Sequence, residues 1–247
     1  MAPDHPTPSS SHRAVESGGV AAGTGRVIAV YGARGNVGVS TIAGSLAAAF
    51  QSMTPAPVAL VALDPRALRG GYDLAESAPT ALHARSTGTS AAMQDQLAIP
   101  GTDDAGLVRR PDGIWTIAPA RRRTPAPSDA KAVTAALEMM RSAFGISVVD
   151  LEHQVNERTL AAFDAADRIV MVTEGSVPSL RGTQRVLRLC RRLNYPDEKM
   201  CVVANRYDAA GSLAVADIAT ILKREVLWKV PVTPSADLAP LAARLRD

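Results

Sequence analysis

The residues of this 247-residue chain best suited to chemistry form a glycine-rich turn over residues 32–41. They read GARGNVGVST, follow the apolar run 27–31 and precede an Ala- and Leu-rich stretch with helical periodicity. In a strand–turn–helix of this kind, successive backbone N–H groups and the positive end of the helix point at one place. The turn therefore predicts a phosphate-binding loop, with the hydroxyl of Ser40 placed to reach a magnesium ion.

Position 39 of this turn carries valine where a phosphate loop usually has lysine. The lysine places an ammonium near the terminal phosphates, where it contributes on the order of a few kcal/mol at an effective dielectric of about 20. Phosphoryl transfer depends mainly on positioned positive charge, whereas backbone amides, magnesium and the helix dipole also hold the phosphates. We therefore expect weak to moderate nucleotide binding and slow or absent hydrolysis.

Two aspartates follow predicted strands. Asp64 comes after the apolar run in VALDP, and Asp150 ends the run ISVVD. Open α/β sheets bind ligands at the carboxyl ends of their strands, and a carboxylate there can hold magnesium or its water shell. Either aspartate alone is also typical of a helix cap or a turn, but both together with the glycine-rich turn predict a nucleotide site.

Short apolar strands alternate with helices along the chain. Strands are predicted at 27–31, 58–63, 114–117, 146–149, 169–172, 201–204 and 226–230. Helices are predicted at 40–51, 128–143, 156–166, 179–193, 212–223 and 235–245. This order predicts an α/β fold with a doubly wound, mostly parallel sheet flanked by helices. The segment 66–112 has no clear pattern apart from a short helix near 90–98.

The composition indicates one globular domain behind a tail. Residues 1–25 are rich in Pro, Ser, Gly and Ala, which predicts disorder, and residues 26–247 form the expected nucleotide-binding domain. Cys190 and Cys201 lie in apolar patterns without metal-ligand spacing, which indicates reduced core thiols. No apolar run reaches the length of a membrane span, so we expect a cytoplasmic protein.

These motifs resemble those of the MinD/ParA ATPases, which carry a deviant phosphate loop (Walker A motif). RGNVGVST resembles the family loop KGGxGKTT, and ALDP resembles the DxDP element after the second strand. The block over 150–181 and the VVANRYD stretch are similar to the TadZ/CpaE branch, whose members act in pilus assembly. The resemblance extends over residues 26–247.

The resemblance assigns a role to each matching position. Asp64 would position the attacking water as the catalytic residue, and Ser40 and Asp150 would hold Mg²⁺. Amides of the loop would bind the ATP phosphates, and Asn205 and Arg206 would flank the purine. The implied cofactor-binding residues are Arg34, Gly35, Asn36, Val37, Gly38, Val39, Ser40, Thr41, Asn205 and Arg206.

Three positions depart from the family pattern. Arg34 stands where the family lysine crosses the dimer interface to the partner's phosphates, and Val39 replaces the lysine that acts within the same chain. Ala62 replaces the first aspartate of the DxD pair. Arginine keeps the cation at position 34, but its planar fork is not interchangeable with an ammonium. The implied homodimer around ATP and Mg²⁺ therefore depends on Arg34.

The resemblance implies a TadZ/CpaE-like localisation and assembly factor for a tight-adherence (Flp-type) pilus or a related secretion system. Its partners would be assembly proteins, which would also recruit it to the inner face of the membrane or to a cell pole. Two alternatives stay open. One is an active MinD/ParA-type ATPase that positions DNA, the septum or another cargo, and the other is a nucleotide-free pseudo-ATPase scaffold.

A row of arginines recurs at helical spacing within the predicted helix 179–193, on the side opposite its apolar residues. A solvated helix face, an acidic protein partner and DNA are three interpretations, favoured in that order because no aromatic platform or nucleic-acid motif accompanies the arginines. The row comprises Arg181, Arg185, Arg188 and Arg192.

Overall fold

The computed structural model describes residues 25–63, 106–118, 130–232 and 237–246. Eight strands within these ranges form one sheet. They are β1 (Arg26–Tyr31), β2 (Val58–Ala62), β3 (Gly106–Arg109), β4 (Trp115–Ala118), β5 (Ile146–Asp150), β6 (Arg168–Thr173), β7 (Met200–Asn205) and β8 (Val226–Val230). Their order across the sheet is β3-β4-β2-β5-β1-β6-β7-β8.

The sheet is parallel except at one edge. Strand β3 pairs antiparallel with β4, and the other neighbouring strands pair in parallel. Strands β2 and β5 are buried over their whole length, as expected for parallel strands covered on both faces. The predicted doubly wound, mostly parallel sheet is confirmed. Strand β3 lies in the segment 66–112 that the sequence pattern left unassigned.

Six α-helices cover the described part of the sheet. They are α1 (Val39–Met53), α2 (Ala130–Ala143), α3 (Glu157–Ala165), α4 (Val177–Arg192), α5 (Val215–Leu222) and α6 (Ala239–Arg246). Helices α1 and α6 pack into an apolar cluster on one face, whereas α2 to α5 pack into a second cluster on the other. Each predicted helix outside 66–112 overlaps one of these, with ends shifted by a few residues. None of the described helices has the length and apolarity needed to cross a membrane.

The two cysteines differ in burial. Cys190 on α4 is fully buried, and burial raises the pKa of its thiol to about 11. Cys201 on β7 is half-buried, and burial raises its pKa as well. Both therefore stay protonated thiols at neutral pH, as expected for cysteines of the core. The predicted tail, apart from Gly25, and the predicted helix near 90–98 lie outside the described residues.

Candidate functional site

The glycine-rich turn joins β1 to α1 at the carboxyl edge of the sheet. Asn36 and Gly38 have φ angles of 65° and 92°, both in the left-handed region. The first hydrogen bond of α1 runs from the Ile42 amide to the Gly38 carbonyl at 2.9 Å. Left-handed residues at alternating positions of a turn, followed by a helix N-terminus, are typical of an anion-binding loop.

Close packing explains two of the glycines in the loop. A Cβ on Gly38 would lie 2.2 Å from Nδ2 of Asn205. A Cβ on Gly32 would lie 2.5 Å from a methyl of Val37 and 2.7 Å from a methyl of Val39. These distances are far below van der Waals contact, so a side chain at either glycine would displace the loop.

Gly35 lies on the open side of the same loop. Among the described residues, an added Cβ would meet nothing closer than Nδ1 of His153 at 4.0 Å. Arg34 and Asn36, which flank this glycine, are exposed. Within the described parts of the chain, the loop therefore has space for a ligand on this side, while its other side is packed against the protein.

Val39 belongs to the apolar packing beneath the loop. Its side chain is half-buried and packs against the cluster that contains Val37, which is only 1% exposed. An aliphatic side chain here stabilises the turn by burial but supplies no cation. Any positive charge toward a bound phosphate must therefore come from the helix dipole, a metal ion or another side chain.

Side chains at the carboxyl end of β7 bind backbone carbonyls of the loop. Nδ2 of Asn205 donates to the Val37 carbonyl at 2.8 Å, and this amide is buried. Nη1 of Arg206 donates to the Asn36 carbonyl at 3.0 Å and pairs with Oε1 of Glu174 at 2.7 Å. We name these contacts the loop clasp.

The clasp fixes the direction of two amide groups. In a trans peptide the C=O and the following N–H point to opposite sides. Because the carbonyls of Asn36 and Val37 face β7, the N–H groups of Val37 and Gly38 point away from it. The clasp thus orients two backbone donors without help from a lysine side chain.

The loop clasp is a further role for Asn205 and Arg206 that their local sequence does not indicate. The predicted contact of these two residues with a purine stays a prediction. The structure shows both side chains bonded to loop carbonyls. The available signal was their position directly after an apolar strand, since the carboxyl ends of parallel strands share one edge with the loop.

Removing Asn205 should weaken the fold more than removing Arg206. Asn205→Ala leaves the Val37 carbonyl without its buried donor, which should lower the free energy of unfolding by about 1–3 kcal/mol. Arg206→Ala removes a partly exposed ion pair and should cost less than about 1 kcal/mol. Urea unfolding of both variants measures the difference in the free energy of unfolding. Equal losses would show that the buried amide of Asn205 does not stabilise the fold more than the ion pair of Arg206.

The expected metal-binding residues lie at the same edge of the sheet. Asp150 is fully buried at the end of β5, paired in register with Val30 on one side and Ala62 on the other. Ser40 lies in the first turn of α1 and is half-buried. A hydroxyl and a carboxylate are oxygen ligands of the kind Mg²⁺ takes in phosphate sites. Asp64 lies outside the described residues, so its catalytic role stays a prediction.

A buried tyrosine fixes the segment that follows β5. The Tyr31 hydroxyl donates to the His153 carbonyl at 3.1 Å, and its ring meets that of Phe163 edge to face at 5.3 Å. Burial, with a smaller effect of Cys190, raises the pKa of the Tyr31 hydroxyl well above its usual range. Tyr31 therefore stays a neutral donor that holds His153 beside the open side of the loop.

Comparison with curated proteins finds two mycobacterial relatives. The chain is 32% identical over 215 residues to the uncharacterized protein Rv3660c of Mycobacterium tuberculosis strain H37Rv and to the uncharacterized protein MT3760 of strain CDC 1551. The match covers 85% of this chain and 55% of each relative, so the chain spans about half their length. No family model matches the sequence.

Comparison with solved structures identifies the fold. A ParA family ATPase from Chlorobium tepidum aligns with a TM-score of 0.67 at 17% identity, covering 91% of this chain and 99% of that one. MinD from Pyrococcus horikoshii in complex with Mg-ADP aligns with a TM-score of 0.63 at 14% identity, covering 89% and 93%. A chain of the MinC:MinD cell division protein complex from Aquifex aeolicus aligns with a TM-score of 0.60 at 22% identity, covering 89% of this chain and 86% of that one. The chain therefore has the fold of the MinD and ParA ATPases.

Proposed function

We propose that this protein is a nucleotide-responsive localisation and assembly factor of the MinD/ParA kind. It binds MgATP weakly and hydrolyses it slowly or not at all. The loop clasp carries this proposal, because it holds a phosphate loop in shape and directs its amides although the lysine is replaced.

The residues at the site fit a magnesium nucleotide. The amides of Val37 and Gly38 would bind the phosphates, with the N-terminus of α1 behind them. Ser40 and Asp150 would hold the metal, and Thr41 would add a hydroxyl to a phosphate. Bound Mg²⁺ would supply the charge that offsets the phosphates. A solved structure with the same fold contains Mg-ADP.

The assignment to pilus assembly rests on the resemblance to the TadZ/CpaE branch. The blocks at 150–181 and 202–208 carry that resemblance. Within this proposal the protein recruits assembly proteins to the inner face of the membrane or to a cell pole, and dimerisation is its switch. Deletion of its gene should reduce surface pili, counted by electron microscopy. A normal pilus number would contradict the pilus role and leave nucleotide binding untouched.

Calorimetric titration of the full chain with ATP tests the nucleotide site. We expect a binding heat in the presence of Mg²⁺ and a much weaker one with EDTA. Without the metal ion between them, the carboxylate of Asp150 would repel the phosphates. Asp150→Asn should remove most of the Mg²⁺ dependence. Absence of heat at millimolar MgATP would contradict the proposal and favour a nucleotide-free scaffold. Turnover at the rate of ordinary MinD enzymes would instead favour an active positioning ATPase.

Arg34 should control an ATP-dependent homodimer. It is exposed beside the open side of the loop, where its guanidinium can reach phosphates held by a second copy. Light scattering should show the mass doubling with MgATP for the unmodified protein and staying near the monomer for Arg34→Ala. Arg246→Ala, an exposed change on α6, is the matched control. An unchanged dimer in Arg34→Ala would refute the role of this arginine.

A further inference from the structure

Helix α4 presents a row of exposed arginines, which we name the arginine row. Its members are Arg181, Arg185, Arg188 and Arg192, all exposed. The spacing i, i+4, i+7 and i+11 places them along one side of the helix over about 16 Å. None of their side chains forms an ion pair or a hydrogen bond with another residue that the structure describes.

The helix beneath the row is firmly anchored. Its opposite side is buried in the sheet-facing cluster through residues such as Leu180, Leu187 and Cys190. Its first turns are tied to β6, since Ser179 Oγ lies 3.0 Å from the hydroxyl of Thr173 and also accepts the Glu174 amide at 3.1 Å. A rigid helix fixes the Cα positions of the four arginines, so no backbone has to be ordered when a partner binds.

The helix also packs directly against the phosphate loop. A Cβ on Gly182 would lie 3.1 Å from Cβ of Ala33 and 3.3 Å from its carbonyl oxygen. Ala33 precedes Arg34 in the loop. The arginine row therefore begins next to the candidate nucleotide site and runs away from it along α4.

Exposed aliphatic side chains accompany the arginine row. Val177 at the start of α4 is 51% exposed, and Leu193 just past its end is 44% exposed. Ile221 on α5 is 36% exposed, and its carbonyl accepts the side-chain amide of Gln184 on α4 at 2.6 Å. Three of the five exposed large apolar residues in the described chain thus lie on or against this helix.

This mixture fits a protein partner better than a nucleic acid. Arginine together with apolar side chains is typical of protein–protein interfaces. Nucleic-acid interfaces are more polar, and single strands are held by aromatic platforms, which α4 lacks. A second copy of α4 is excluded as the occupant, because four arginines would face four arginines.

We propose that the arginine row is the docking surface for an acidic helix of a partner protein. The partner helix carries carboxylates at the same i, i+4, i+7, i+11 spacing, which pair with the guanidinium groups, and an aliphatic residue at one end, which covers Val177. Arginine suits this role because its fork binds a carboxylate through two parallel hydrogen bonds. The proposal does not depend on nucleotide binding.

Two synthetic peptides of identical composition test this surface on the full chain without nucleotide. One helical peptide has glutamates at the row spacing and a leucine at one end, and the other has the same residues scrambled so that the glutamates share no face. Fluorescence anisotropy should show tighter binding of the first peptide, weakening as salt is added. The double variant Arg185→Glu/Arg188→Glu should weaken that binding by about tenfold or more.

Arg191→Glu is the matched control, since this arginine is exposed on the same helix but lies off the row. It should change binding by no more than about twofold. Circular dichroism shows whether each variant keeps its fold, as expected for exposed positions. Equal affinity for both peptides would overturn the proposal. So would tighter binding of short duplex DNA or of anionic vesicles that is lost in the same double variant.

Discussion

Replacing Val39 by lysine should raise ATP hydrolysis by about tenfold or more and tighten MgATP binding by a smaller factor. Residue 39 is the first of α1 and lies directly behind the loop amides, so an ammonium there can approach the phosphates. The methylene stem of lysine can replace the packing of valine against the cluster under the loop. Phosphate release and calorimetry measure the two effects separately.

Val39→Met controls for the length and flexibility of the new side chain. It offers an unbranched stem without charge, so it should leave hydrolysis near that of the unmodified protein. If Val39→Met and Val39→Lys behave alike, the charge is not the missing element. In that case the slow or absent turnover must arise elsewhere, for example from Ala62 in place of the first aspartate of the DxD pair.

The second large effect is expected at Gly38. Alanine there would be strained at a φ of 92° and would place its Cβ 2.2 Å from Nδ2 of Asn205. The strain alone costs about 1–3 kcal/mol, and displacing Asn205 breaks its bond to the Val37 carbonyl. We expect Gly38→Ala to lower the melting temperature and to weaken MgATP binding by about tenfold or more.

Two other glycines separate the causes of that loss. Gly211 has a φ of 77° but nothing within 4 Å of an added Cβ, so Gly211→Ala reports backbone strain without a clash. Gly35→Ala adds a methyl in the phosphate loop where only His153 lies as close as 4.0 Å, so it should cost little stability. Gly38→Ala should lower the melting temperature more than either of these two changes. Similar melting temperatures for Gly38→Ala and Gly211→Ala would show that the clasp adds nothing to the strain.

The order of strands and helices was predictable because it depends on short-range patterns in the sequence. Strand β8 was predicted at 226–230 and has those bounds in the structure. The sequence does not indicate the edge strand β3, because Gly106–Arg109 holds only two apolar residues between a glycine and an arginine, and its antiparallel pairing depends on β4. Helix ends shifted for a similar reason, since they depend on caps such as the Asn156 side chain that accepts the Thr159 amide.

The sequence by itself determined the strand and helix order, the glycine-rich turn and the loss of its lysine, since each is a property of neighbouring residues. Only the tertiary structure decided how the turn is held. Asn205 lies 168 positions from Val37 in the chain, and their hydrogen bond exists because parallel strands bring both to one edge of the sheet. The contact of Gly182 with Ala33 likewise cannot be predicted from local periodicity. Local patterns specify elements, but contacts between distant elements arise only when the sheet is assembled.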